Sequence, residues 1–69
     1  MKISARNTLA GTIRNIERGA VNAEVTLELA PNLTVTSIIT NDAVDSLKLK
    51  VGERAYAVIK ASSVMIGVD

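Results

Sequence analysis

Val21-Asn22-Ala23-Glu24-Val25-Thr26-Leu27-Glu28-Leu29 alternates apolar and polar residues without a break. A period of two puts Val21, Ala23, Val25, Leu27 and Leu29 on one face of an extended chain and Asn22, Glu24, Thr26 and Glu28 on the other. Ala20 to Leu29 is therefore expected to be a strand with one buried and one wet face. Upstream, Thr8 to Glu17 alternates less cleanly through Leu9, Gly11 and Ile13 and changes phase at Ile16, the pattern of a bulged or strongly bent first strand. Arg18-Gly19 between them reads as a tight hairpin turn in which Gly19 takes a positive φ.

Downstream, Ala30-Pro31-Asn32 is a turn signal and Leu33 to Thr40 a third strand. Thr40-Asn41-Asp42 offers capping side chains, and Ala43, Val44 and Leu47 recur at helical spacing, so a short helix is expected to run to about Leu47. Leu49-Lys50-Val51-Gly52 closes that excursion. Ala55 to Ala61 reads as a fourth strand, Ser62-Ser63 as a turn and Val64 to Val68 as a fifth strand. Three strands, a short helix and two strands match the connectivity of a five-stranded OB-like Greek-key barrel, all-β apart from that helix. An SH3-like barrel is the main rival, and the helix after the third strand argues against it.

With 69 residues the chain has room for one domain, taken as residues 1–69. So small a domain leaves much of its surface in water and often relies on disulfides, metals or partners. It has no Cys and no His, so disulfides and the commonest zinc and copper ligands are unavailable. A hydrophobic content of 48% is high for so little interior, and it points to association with other copies. No apolar run approaches the roughly 18 residues of a membrane span. Met1 to Arg6 carry charge with no apolar stretch behind them, so a secretory leader is not expected and a cytoplasmic setting is.

The same absences bear on function. An enzyme needs a nucleophile with its base, an acid–base pair or a metal, and the seven carboxylates fall mostly on wet faces, turns or the terminus, so catalysis is not expected. OB-fold barrels that hold single-stranded nucleic acid stack bases on aromatic rings above a basic groove. Tyr56 is the only aromatic residue and the net charge is +1, which makes a nucleic-acid-binding protein the weak alternative, testable by filter binding. Small-oxyanion binding needs convergent amides, hydroxyls and one or two cations. Ser4 and Arg6 lie together before the first strand, Lys60 sits beside Ala61, Ser62 and Ser63, and Thr40 adds a hydroxyl at the helix start. Spacing alone does not separate this reading from ordinary solvated charges and turn-forming hydroxyls.

Ile3-Ser4-Ala5-Arg6-Asn7, followed by Leu9 and Gly11, resembles the opening of the molybdate-binding Mop proteins, or molbindins, and of the related domain in molybdate-responsive transcription regulators. The likeness continues through Gly19-Ala20-Val21 with Ala23-Glu24-Val25, Thr36-Ser37-Ile38-Ile39, Val58-Ile59-Lys60 and Val64-Met65-Ile66, in the order and spacing of a single Mop unit. The resemblance implies a cytoplasmic homohexamer, a trimer of dimers, that stores molybdate or tungstate at subunit interfaces without an organic cofactor, nucleic acid or membrane. A molybdate-sensing module acting through a partner protein is the alternative role. Carried over by position, Ser4, Ala5 and Arg6 are the donors of one subunit, with Thr40, Lys60 and Ala61 those of its neighbour, while Asn7 braces the loop. Related sequences often carry Ser where this chain has Ala43, so the free amide of Ala43 in the first helical turn is expected to serve instead. Gly19 to Asn22 is expected to line a second site on the threefold axis.

Overall fold

The computed structural model describes all of residues 1–69 and contains four strands, β1 (Asn7–Arg18), β2 (Asn22–Ala30), β3 (Leu33–Thr40) and β4 (Arg54–Ile59), with one helix, α1 (Asn41–Ser46), between β3 and β4. All three pairings are antiparallel, and the order across the sheet is β3-β2-β1-β4. Three strands joined by hairpins with the fourth returning beside the first make a Greek key. No helix is long and apolar enough to cross a membrane.

The phase change in β1 is a bulge. The register with β2 slips between Ile13 and Asn15, so Arg14 is the extra residue. Gly11 and Ile13 before it and Ile16 after it face inward, whereas Arg14 is thrown to the wet side, where Nε and Nη2 donate to Glu28 Oε1 at 3.0 and 2.8 Å. Solvent screens that ion pair, so it contributes at most about 1 kcal/mol. The bulge also sharpens the local twist, which helps the sheet curl. At the bend Gly11 is required, because a Cβ there would lie 2.5 Å from the Glu28 carbonyl oxygen and 2.9 Å from Leu27 Cγ.

Ile13, Ala23, Val25, Leu27 and Val44 form the buried core, with Ile16, Leu29, Ile39, Leu49, Ala55 and Ala57 packed around it. Three of those five come from the inward set of β2. Val21 does not join them: it is exposed and precedes the strand, which starts at Asn22 and not at Ala20. Gly19 also departs from expectation, since its φ is not positive. The hairpin is longer than two residues, with Arg18 paired to Ala23 and the Gly19 amide donating to the Asn22 carbonyl at 2.7 Å. The positive-φ residues are instead Asn32, Lys48 and Gly52. Asn32 follows Pro31 in the two-residue β2–β3 turn, and Gly52 closes a turn in which the Glu53 amide donates to the Lys50 carbonyl at 3.2 Å.

Six residues are too few for a helix to stand alone. α1 is held by buried Val44 and by its two ends. Thr40 caps the first turn, its hydroxyl accepting from the Ala43 amide at 3.0 Å. At the other end the Lys48 amide donates to the Asp45 carbonyl and the Leu49 amide to that of Val44, both at 3.1 Å. This is a Schellman motif with Lys48 in the left-handed position usually taken by glycine.

The expected fifth strand is absent. β4 ends at Ile59, a 3-10 turn covers Ala61–Ser63, and Val64 to Asp69 pairs with nothing in the chain. Apolar residues such as these form a strand only where a sheet edge receives them. The sheet therefore stays open along a seam between β3 and β4, and the barrel is incomplete within one chain.

Candidate functional site

The β1–β4 ladder brings the two expected cations together. Its register runs Asn7↔Ile59, Thr8↔Val58, Leu9↔Ala57, and Arg6 and Lys60 flank the Asn7↔Ile59 pair in sequence, just beyond the end of the ladder. Lys60 keeps an extended backbone, φ −61° and ψ 131°, whereas Arg6 lies in a bend before β1. Asn7 fastens the pair from behind, its Nδ2 donating to the Ile59 carbonyl at 3.3 Å. This bond ties the start of β1 to the end of β4 across 52 residues of sequence.

Arg6 and Lys60 carry like charge next to the last pair of the ladder. Both side chains are exposed and neither forms an ion pair; the chain's salt bridges are Arg14–Glu28 and Arg18–Asp45. Exposed Ser4 and half-buried Ala5 precede Arg6, and Ala61, Ser62 and Ser63 follow Lys60 in the 3-10 turn. The first amides of such a turn have no acceptor within it. Ser4, Arg6, Lys60, Ser62 and Ser63 thus all lie in the segments that adjoin one end of the β1–β4 ladder. Such a group suits a small, doubly charged oxyanion.

Thr40 and Ala43 lie elsewhere. Thr40 pairs with Asn22 at the end of the sheet where β1 finishes, whereas Arg6 and Lys60 stand where β1 begins. Thr40 ends β3 beside Asn22, whereas Lys60 follows the Asn7↔Ile59 pair, so the two expected donors leave the sheet at different ends of their ladders. Nor is the Ala43 amide free, because the Thr40 hydroxyl already accepts from it. Thr40 keeps its own O–H proton for donation.

Gly19 to Asn22 sits at that same far end. Asn41 secures the loop, its amide donating to the Val21 carbonyl at 2.9 Å and its Nδ2 to the Gly19 carbonyl at 3.0 Å. Sequence reading treated Asn41 only as a capping residue; an Asn directly after a capping Thr carries no signal for this contact. The shallow pocket beside the loop is flanked by Glu17 and Glu24, which face each other across β1 and β2. Its one cation, Arg18, is bonded to Asp45 at 2.6 Å. Within one chain an anion would meet carboxylates there, which disfavours it. Tyr56, exposed on β4, has no second ring with which to form a stacking surface.

Comparison with known proteins places this geometry. The TOBE domain model matches residues 3–66. The chain is 49% identical over 69 residues, the whole of both chains, to a probable molybdenum-pterin-binding protein of Haemophilus influenzae. Its fold is similar to that of MopII from Clostridium pasteurianum, with a TM-score of 0.90 and 45% identity over 97% of this chain and 100% of that one. It is also similar to the cytoplasmic molybdate-binding protein ModG in a crystal form with molybdate bound, with a TM-score of 0.94 and 55% identity over 100% of this chain and 49% of that one.

Proposed function

The chain belongs to the TOBE domain family and to its Mop group, and from that premise we propose that it binds molybdate or tungstate reversibly and serves their storage and homeostasis in the cytoplasm. The observation that supports this reading is the placement of Arg6 and Lys60, two cations without an ion-pair partner, directly beyond the Asn7↔Ile59 pair that ends the β1–β4 ladder. A tetrahedral dianion between them turns a repulsion into two attractions. It must also lose water, and the fixed charges and hydroxyls replace that hydration. Arg6 gives a forked, oriented contact and Lys60 a compact charge, so their roles are not interchangeable. Ser4, Ala5 and Ala61 complete this half of the pocket with hydroxyl and amide donors. A neighbouring copy supplies the other half in a homo-oligomer, the hexamer being the assembly proposed, and Thr40 is the hydroxyl assigned to it. The mechanism involves no chemistry on the ligand.

Calorimetric titration with molybdate tests the assignment. Arg6→Ala and Lys60→Ala should each weaken binding at least about tenfold, equivalent to about 1.4 kcal/mol, without changing the sedimentation of the protein. Unchanged affinity in both variants defeats the proposed site.

A further inference from the structure

The chain changes direction sharply between Thr40 and Asn41. Thr40 is extended, φ −74° and ψ 153°, and ends the β2–β3 ladder opposite Asn22, whereas Asn41 is the first residue of α1. At this corner the helix is tied to the β1–β2 hairpin. The Asn41 amide donates to the Val21 carbonyl at 2.9 Å, Asn41 Nδ2 donates to the Gly19 carbonyl at 3.0 Å, and Arg18 Nη2 donates to Asp45 Oδ1 at 2.6 Å. The ion pair is exposed, so solvent screens it and leaves the joint to Asn41.

The other arm of the Asn41 side-chain amide has no such role. Oδ1 is buried and accepts from no donor. A buried acceptor without a partner forfeits its hydration, and folded proteins contain few of them. The bond made by Nδ2 and the loss suffered by Oδ1 are of similar size and opposite sign, so Asn41 adds little net stability. Local rules broken in this way are expected where a side chain serves function. What Asn41 sets is the place of its neighbour. Thr40 Oγ1 accepts from the Ala43 amide at 3.0 Å, which fixes the side chain and leaves its O–H proton for another acceptor. Without the Nδ2 bond, residue 41 would keep one backbone bond to the hairpin, and a helix of six residues could shift against it, carrying the Thr40 hydroxyl along.

We infer that Asn41 is a positioning residue for oxyanion binding: by clamping the start of α1 to Gly19 and Val21 it holds the Thr40 hydroxyl at one place, without touching the anion itself. The inference rests on the reading that Thr40 donates to the bound anion. A donor already held in place binds more tightly than one that must be ordered when the ligand arrives. The loss of Asn41 therefore falls on affinity and not on stability, and it passes through Thr40.

A double-mutant cycle on the full chain, read by calorimetric titration with molybdate, tests that route. Asn41→Ala should weaken binding about three- to tenfold, the worth of one hydrogen bond. Its Tm should stay within about 3 °C of the unmodified chain, and its sedimentation should not change. In a Thr40→Ala background the same substitution should alter affinity by less than about twofold. Asn41→Asp keeps the shape, suits the first turn of a helix and sets a second acceptor against the Gly19 carbonyl. It should bind at least as weakly as Asn41→Ala, and it decides the matter if the alanine variant does not fold. Unchanged affinity in the position-41 variants, or a loss of equal size with and without the Thr40 hydroxyl, overturns the inference. Either result alongside weakened binding in Arg6→Ala and Lys60→Ala leaves the oxyanion reading standing, whereas undiminished binding in both of those cationic-site variants sinks that reading itself.

Discussion

Replacing Gly11 with alanine adds one methyl group at the place where β1 bends under β2, and its cost can be worked from three distances. The new Cβ would lie 2.5 Å from the Glu28 carbonyl oxygen, 2.9 Å from Leu27 Cγ and 3.1 Å from the Glu28 carbonyl carbon, where ordinary contact begins at 3.4 Å. Relieving the closest of these means parting the strands by about 0.9 Å. Glu28 is paired to Thr12 on one side and Thr34 on the other, so it cannot retreat alone. Leu27 belongs to the core, and moving it loosens the packing around Ile13. Overpacking of this kind costs about 1–3 kcal/mol or more, and the restriction that alanine places on the unfolded chain returns only about 0.4–1 kcal/mol. A net loss of about 2 kcal/mol lowers Tm by about 10–15 °C in a domain of this size. Gly19→Ala, whose Cβ meets only the Asn22 carbonyl at 3.1 Å, should cost less than about 1 kcal/mol. Gly67→Ala meets nothing within 4 Å and should change little. Thermal unfolding of the three variants at one fixed protein concentration provides the comparison, because association contributes to Tm. A Gly11→Ala protein melting within about 3 °C of Gly67→Ala would refute the claim that glycine is needed for the close approach.

The ends of α1 give two further tests by the same assay. Thr40→Ala removes the acceptor of the Ala43 amide and should cost about 1 kcal/mol, with Thr40→Ser restoring most of it; molybdate affinity unchanged in Thr40→Ala, alongside lowered stability, would assign Thr40 to capping alone. Lys48→Gly should raise stability by about 0.5–1 kcal/mol, because Lys48 sits at φ 55° where a side chain is strained; a lower Tm would show that the Lys48 side chain makes a compensating contact.

Much of the sheet was legible because alternation is a local signal. The inward residues of β2 and the slip at Ile16 follow from parity within a few positions, and the bulge at Arg14 is the structural form of that slip. Parity does not say where a strand stops, which is why Val21 continued the pattern of β2 yet lies outside it, exposed. The Schellman end of α1 was hidden because its left-handed residue is Lys48, and lysine carries no turn signal. Val64–Val68 was read as a fifth strand because apolar composition reports a need for burial and not whether a sheet edge receives the segment, and here none does. At the candidate site, residue types suggested Arg6 and Lys60, but their placement beyond the same end of one ladder depends on a register joining positions more than 50 residues apart, which no local pattern encodes.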